Sequence, residues 1–413
     1  MPARHDPYAS LRIGNYLRLI LSYATSTVAR EGQIVVVSWQ VFEVTHDPLS
    51  LGFIGLAEAL PFIAVALYAG HIADRTPRRP VALAGTFGML LSAIALLLFT
   101  TSGMTARGHI WPIYLVIFLS GIARSFTRPA FTALSAELVP REMYANAIAW
   151  RSSVWQFSAV LGPAIAGLVY GFAGAVVAYA GVTVLMAVSL VTLWLIAHNA
   201  RPQVSDQSIG ESLMVGIRFL MKQPVLLAAM SLDLFSVLFG GAAALLPIFA
   251  HMLGAGPQGL GVLRAAPAIG SFVTSIIVAH RPPMKRTGPA LFASVAIFGV
   301  SIIAFALSRS FMLSLLLLTI SGMADNVSVI IRGTLLQTLT PADLLGRVSS
   351  VNQIFIGSSN EIGAFESGVA ARLMGTVPSV IFGGCMTLLV VAVTMWRAPR
   401  LRKMDVILSR GSE

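Results

Sequence analysis

The chain has 413 residues, of which 56% are hydrophobic and only 11% charged, with a net charge of +11 and a mean hydropathy of +0.81. That leaves too little polar material to coat a water-soluble globule of this size, so the bilayer must act as solvent for much of the chain. A lone cysteine, Cys385, and seven scattered histidines exclude a disulfide framework and a compact metal-ligand motif, so neither a metal nor another cofactor is expected.

The first dozen residues place Arg4 and Arg12 ahead of an apolar run with no small-residue cleavage site, which reads as an uncleaved first span. Apolar runs punctuated by proline, glycine and charge then predict spans at about 13–44, 50–73, 80–102, 110–136, 144–171 and 174–197. In the first, Tyr16, Tyr23, Ser26, Arg30, Gln33 and Gln40 share one helical stripe, expected to face a central cavity. Arg30 and Glu31 fall near mid-span, Glu58 lies in the second span and Arg124 in the fourth.

Between spans two and three runs Gly70-His71-Ile72-Ala73-Asp74-Arg75-Thr76-Pro77-Arg78-Arg79, and the fifth span holds Gly162-Pro163-Ala164-Ile165-Ala166-Gly167. Small residues let helices approach closely and proline removes a backbone donor, so the second segment suits a helix that bends and repacks. An ordinary proline kink would leave the same trace. Residues 198–223 form the one long polar interruption, with an amphipathic stretch from Ile209 to Lys222.

Six more spans follow, at about 224–252, 257–280, 287–308, 311–337, 345–374 and 377–396. Asp233, Asp325, Asn360 and Glu361 lie inside them. The second half repeats the first: Leu138-Val139-Pro140-Arg141-Glu142 returns as Leu339-Thr340-Pro341-Ala342-Asp343, and Gly162 and Gly167 return as Gly363 and Gly368, all at an offset of 201. A duplicated half in a membrane protein points to a transporter. The expected organisation is an N-terminal six-helix bundle (1–197), a linker with an amphipathic helix (198–223), and a C-terminal six-helix bundle with a basic tail (224–413).

Arginine and lysine crowd the loops on one side, where Arg75, Arg78, Arg79, Arg141, Arg281, Lys285 and Arg347 fall, against Arg107 and Arg309 on the other. The positive-inside bias puts the crowded side and both termini in the cytoplasm. The net charge is thereby topology, with anionic lipid as its contact and no nucleic acid implied.

The loop after span two resembles the cytoplasmic signature of the major facilitator superfamily, Gly-x-x-x-Asp-Arg-x-x-Arg-Arg/Lys, carried here by Gly70, Asp74, Arg75, Arg78 and Arg79. The fifth-span segment is similar to that superfamily's antiporter motif, carried by Gly162, Pro163 and Gly167, with Ser158 and Ala166 where the pattern has glycine. The runs Arg128 to Glu142, Gly261 to Gly270 and Gly346 to Asn352 are similar to its drug and siderophore efflux branch. The fourth span departs from the pattern: Arg124 follows Gly121 rather than preceding a Gly-x-Gly, so the family's proton-linked arginine is not carried over.

The resemblance implies an all-α membrane fold of twelve helices in two pseudo-symmetric six-helix bundles, proton-coupled export (antiport) of drugs, siderophores or related amphipathic metabolites by alternating access, a bacterial inner-membrane location and a monomer. A lysophospholipid flippase or a metal-ion exporter of the same fold stays open. Arg30, Glu31, Gln33, Glu58, Arg124, Trp155, Asp233, Asp325, Asn360 and Glu361 are the candidate substrate and proton path, because charge at membrane depth is kept only where it is paired or wetted. Glu361, on one face with Gly357, Ala364 and Gly368, is the favoured proton carrier. Trp39, Trp150, Trp155 and Phe235 are the aromatic candidates for contact with substrate. Arg18, Glu43, Arg128, Arg332 and Arg372, nearer helix ends, are expected to form fixed ion pairs or to snorkel. No nucleophile, base and orienting group form a motif, and no phosphate-binding loop is present, so neither an enzyme nor direct nucleotide drive is expected.

Overall fold

The computed structural model describes residues 6–105, 108–197, 209–281, 286–342 and 344–405, without side-chain detail at 62, 66–75 and 209–213. These residues form helices throughout: α1 (Gly14–Thr45), α2 (Pro48–Arg75), α3 (Arg78–Thr101), α4 (Trp111–Glu137), α5 (Tyr144–Trp194), α6 (Ile209–Lys222), α7 (Pro224–Gly240), α8 (Leu246–Met252), α9 (Gly256–Ala279), α10 (Thr287–Leu307), α11 (Phe311–Leu339), α12 (Leu345–Met374), α13 (Thr376–Arg397) and the short α14 (Pro399–Arg402). Among the described residues, eight segments are long and apolar enough to cross a membrane. Helices α1, α4 and α12 fall outside that set, and these are the helices that carry Arg30 with Glu31, Arg124 with Arg128, and Glu361 with Glu366. Helices rich in polar groups within an apolar chain are where a transport path is to be sought.

Two expected spans join and one divides. The fifth and sixth run together as α5 and are separated only at Gly174, whose φ of 81° with ψ of 174° is a backbone state that glycine adopts without a Cβ penalty. The seventh breaks after Gly240, where Gly241 turns extended and a short 3-10 turn at Ala243–Leu245 precedes α8. The carbonyl of Gly241 freed by this break accepts a hydrogen bond from Ser367 Oγ at 2.9 Å. Interrupted helices are tolerated at membrane depth when protein groups satisfy the released backbone in this way. Pro163 lies inside α5 with helical backbone on both sides, and Gly174 is the only non-helical residue within that element.

The chain divides into two compact units, Met1–Val44 with Leu60–Asp206, and Thr45–Ala59 with Gln207–Glu413. In the first, α3 packs on α4 and α5, around a core that includes Tyr16, Leu19, Phe131, Leu134, Leu193 and Ile196. In the second, α11 packs on α9 and α10, and α13 on α7 and α10, with Leu226, Leu232, Leu291, Phe292, Leu335 and Val348 at the centre. Small residues set the close approaches. A Cβ on Gly162 would stand 2.8 Å from the Val28 carbonyl and 2.9 Å from Glu31 Cβ, so α5 and α1 nearly touch backbones there. A Cβ on Gly363, its repeat, would stand 2.7 Å from the Leu238 carbonyl, giving α12 the same relation to α7. Without water to expel between helices, such contact is where membrane helices gain their packing energy.

Candidate functional site

The most buried charges of the second unit meet between α7 and α11. Asp233 lies in the middle of α7, a helix apolar on every side, and only 6% of its surface is exposed. Arg332, two turns from the end of α11, is 7% exposed, and its Nη1 stands 2.5 Å from Asp233 Oδ2. Arg332 Nε donates to Ser328 Oγ at 3.2 Å, one turn back on the same helix. Asp325 lies a further turn back, partly buried, where its carboxylate feels the charges of both Arg332 and Asp233. Positions 325, 328 and 332 are separated by three and four residues, so a single face of α11 presents an acid, a hydroxyl and a guanidinium toward α7.

Asp233 and Asp325 were both expected to lie on the path, and the structure brings them together. Their link, Arg332, was expected either to form a fixed ion pair or to snorkel near a helix end; it forms the ion pair, and does so deep among the helices. The signal in the sequence was the i, i+7 spacing of Asp325 and Arg332. Counted as charges, two carboxylates and one guanidinium leave one negative charge over in a medium of low dielectric, and a single added proton would cancel it. That is the electrostatic requirement for a proton-accepting group that still keeps its architecture.

Glu361, favoured from sequence, lies at a different crossing. The first turns of α2 pack on α12, where a Cβ on Gly55 would meet Ala364 Cβ at 2.6 Å and the Glu361 carbonyl at 2.9 Å, and one on Gly52 would meet Gly368 Cα at 3.1 Å. Phe53 and Phe365 stack across it at 5.7 Å, and Arg372 Nη1 pairs with Asp47 Oδ1 at 2.9 Å at its open end. The Glu361 side chain is half-buried, Glu58 likewise, and Asn360 is exposed, its amide donating to the Ile356 carbonyl at 2.8 Å.

In the first unit Arg30 and Glu31 pair with each other at 2.7 Å, and Glu31 sits where Gly162 approaches α1, so the antiporter-like segment and the mid-span acid are neighbours. Gln33 and Arg124 are half-buried, and Trp155 is 48% exposed. The expected stripe on α1 does not face a cavity along its whole length. Tyr16 is fully buried and its hydroxyl donates to the Ala147 carbonyl at 2.7 Å. Gln40 donates to Thr100 Oγ1 at 3.1 Å and accepts from the Tyr179 hydroxyl at 2.8 Å. Helix packing takes both ends of the stripe and leaves Arg30 and Gln33 between them.

Two aromatic candidates are likewise corrected. Trp39 is 7% exposed and packs near Phe42, while Trp150 donates to the Pro7 carbonyl at 2.9 Å and lies 5.6 Å from Tyr8, tying down the N-terminal segment. Of the loop signature, the side chains of Gly70, Asp74 and Arg75 lie outside the described residues. Arg78 and Arg79 each have a protein partner: Arg78 Nε pairs with Glu137 at 3.2 Å, and Arg79 Nη2 donates to the Trp194 carbonyl at 2.6 Å. They fasten the start of α3 to the ends of α4 and α5.

The fold matches solved transporters over nearly its whole length. A POT family transporter in complex with 5-aminolevulinic acid superposes with a TM-score of 0.73, covering 94% of this chain and 96% of that one at 13% identity. The nucleoside transporter NupG gives 0.73, covering 93% and 100% at 11% identity. By sequence, the uncharacterised MFS-type transporter YfiS of Bacillus subtilis (strain 168) is 24% identical over 408 residues, 92% of this chain and 93% of that protein. The enterobactin exporter EntS of Escherichia coli O1:K1 / APEC is 24% identical over 364 residues, 87% and 86% of the two chains. Residues 19–364 match the family model of the Major Facilitator Superfamily. The chain belongs to that superfamily: it is a multi-pass membrane transporter of the secondary-active, alternating-access kind, and not an enzyme.

Proposed function

We propose that this transporter exports a small amphipathic molecule, of the drug or siderophore kind, in exchange for protons. The observation that carries the proton part is the group Asp233, Arg332 and Asp325, which one proton brings to neutrality. In this reading Asp325 takes the added proton, Arg332 is left to Asp233 alone, and α7 and α11 repack between facing states with different affinities for proton and substrate. Glu361 stays as the second candidate, set beside a crossing of small residues that a moving helix can slide along. Likeness to EntS supports the export of metabolites, as does the partial antiporter segment at Gly162, Pro163 and Gly167.

The same reading takes twelve spans in two six-helix bundles, residues 1–197 and 224–413, joined by the 198–223 linker, with both termini cytoplasmic in a bacterial inner membrane and the protein acting as a monomer. Arg30, Glu31, Gln33 and Trp155 in the first bundle, and Asn360 in the second, are the candidates for the substrate path. Among the described residues no three His, Cys, Asp or Glu side chains gather as a metal site requires, so metal export has no observation in its favour.

Everted vesicles made acidic inside, with a fluorescent pH probe, test the reading. Addition of lipophilic cations, aromatic antibiotics or catecholate and hydroxamate siderophores should collapse the gradient for one class. Asp325→Asn and Glu361→Gln, each in folded protein, assign the carrier: the reading requires the response to vanish in Asp325→Asn and to survive in Glu361→Gln. A full response in Asp325→Asn moves the proton elsewhere, and no response to any class in wild-type vesicles removes proton-coupled export.

A further inference from the structure

The first unit carries an apolar groove that the transport reading does not use. It runs between α3 and the last turns of α5, is lined by Leu83, Ala84, Phe87, Leu190, Val191 and Trp194, and is open along its length, with a volume of about 420 Å³. Ala84 makes the depression, because a small side chain stands between two large ones on the same helix. Phe87 is 49% exposed, Val191 55% and Trp194 64%, so these side chains bound an open slot rather than fill one. Every lining group is apolar, which suits a hydrocarbon chain.

The head of the groove is cationic. Arg79 lies one turn before Leu83 on α3 and therefore on the groove's face. Its Nη2 donates to the Trp194 carbonyl, while its Nε is buried and makes no hydrogen bond among the described residues. Arg18 donates through Nη1 to the Leu195 carbonyl at 2.9 Å and to Asn15 Oδ1 at 3.1 Å, and is exposed. Both guanidiniums close on the C-terminal end of α5. A helix end offers about half a negative charge, so two arginines leave the spot net positive. The next arginine, Arg78, is already neutralised by Glu137. With five N–H donors per guanidinium, and only Nη2 of Arg79 and Nη1 of Arg18 given to these carbonyls and to Asn15, a phosphate can be held in bidentate fashion.

We propose that this groove is a binding site for one anionic phospholipid of the leaflet on the arginine-rich side, with an acyl chain between α3 and α5 and the phosphate on Arg79 and Arg18. Charge complementarity selects the occupant: a zwitterionic lipid brings the same phosphate but sets its own cation against two arginines, whereas phosphatidylglycerol brings none. The bound lipid joins the start of α3 to the end of α5, both of which belong to one unit. This site is independent of the identity of the transported molecule.

Trp194 lets the site report on itself. The full-length protein is reconstituted with phosphatidylcholine carrying rising fractions of dibrominated phosphatidylglycerol, or of dibrominated phosphatidylcholine as control, and the fluorescence lost by wild type but not by Trp194→Phe is read. Phosphatidylglycerol should quench this component at a lower mole fraction, by about fivefold for each arginine involved. Arg18→Gln should shrink the preference and Arg18→Gln/Arg79→Gln abolish it. Because Arg79 also ties down a helix end, Ala84→Leu serves as a second variant: it fills the groove with both charges intact and should remove Trp194 quenching by phosphatidylglycerol. Equal quenching by the two lipids in wild type, or an unchanged preference in Arg18→Gln or in Ala84→Leu, overturns the proposal.

Discussion

Arg332 Nη1 on α11 lies 2.5 Å from Asp233 Oδ2 on α7, with both side chains 8% exposed, and Asp325 lies within the field of the same guanidinium. The two ways of breaking this contact are unequal. Arg332→Ala leaves two carboxylates inside the helix bundle without their cation, and loss of one partner of a buried pair costs about 3–5 kcal/mol. Asp233→Asn keeps a polar partner for Arg332 and leaves Asp325 to balance its charge, so the cost falls to about 1–3 kcal/mol. Melting of the purified variants in detergent should order them as wild type, Asp233→Asn, Arg332→Ala. If Arg332→Ala melts with wild type, the pair does not hold α7 to α11.

The repeated glycines predict opposite signs at different sites. Gly162→Ala and Gly363→Ala would each drive a methyl group into a backbone carbonyl under 3 Å away, on α1 and α7 respectively. Overpacking of that kind costs about 1–3 kcal/mol. Gly181 has nothing within 4 Å of its missing Cβ and lies in a helix, so Gly181→Ala should instead stabilise by about 0.4–1 kcal/mol through the unfolded chain. Three thermal melts decide it, and a Gly162→Ala variant as stable as Gly181→Ala would mean that α1 and α5 are not in close contact at this point.

These outcomes also mark how far the sequence could be read. Helix ends were legible to within about three residues from apolar runs and proline, and the pairing of Gly162 with Gly363 was legible as a repeat, because duplication preserves spacing. The break after Gly240 was not, since an apolar run such as Val237 to Ile248 reads the same whether it is one helix or two. Hydropathy counts side chains, while the break is a backbone event set by Gly241 and by Ser367 far along the chain. The pairing of Arg332 was legible but its depth was not, for a related reason: distance from a helix end suggests access to water, but burial depends on which helix packs alongside. Tyr16 and Gln40 shared a stripe with Arg30, yet only the neighbours Ala147 and Tyr179 decide which part of a stripe is left open.

Arg372 and Asp47 form an ion pair at 2.9 Å that resembles the buried one in distance and differs from it in surroundings: their side chains are 62% and 24% exposed. An exposed pair gains little because solvent screens it, and measured values run at about 0–1 kcal/mol. Arg372→Gln should therefore shift the melting temperature far less than Arg332→Ala. The Asp47→Asn/Arg372→Gln double variant should be additive to within about 0.5 kcal/mol. A coupling of several kcal/mol would mean that solvent does not reach the pair.

The charge asymmetry of the loops makes a prediction that needs no substrate. Cys385 is the sole cysteine of the chain, so Cys385→Ala gives a background in which single cysteines report sidedness. His109 and Ser310 lie in loops beside Arg107 and Arg309, and His280 lies beside Arg281; all three positions are exposed. If the positive-inside bias sets the orientation, His109→Cys and Ser310→Cys should react with a membrane-impermeant maleimide in intact cells, and His280→Cys only after the membrane is opened. Labelling of all three in intact cells would mean that α3 with α4, or α9 with α10, does not span as the hydropathy implies. The reverse pattern would put the Arg79 and Arg18 end of the lipid groove on the outer face, where the leaflet rather than the groove would have to be reconsidered.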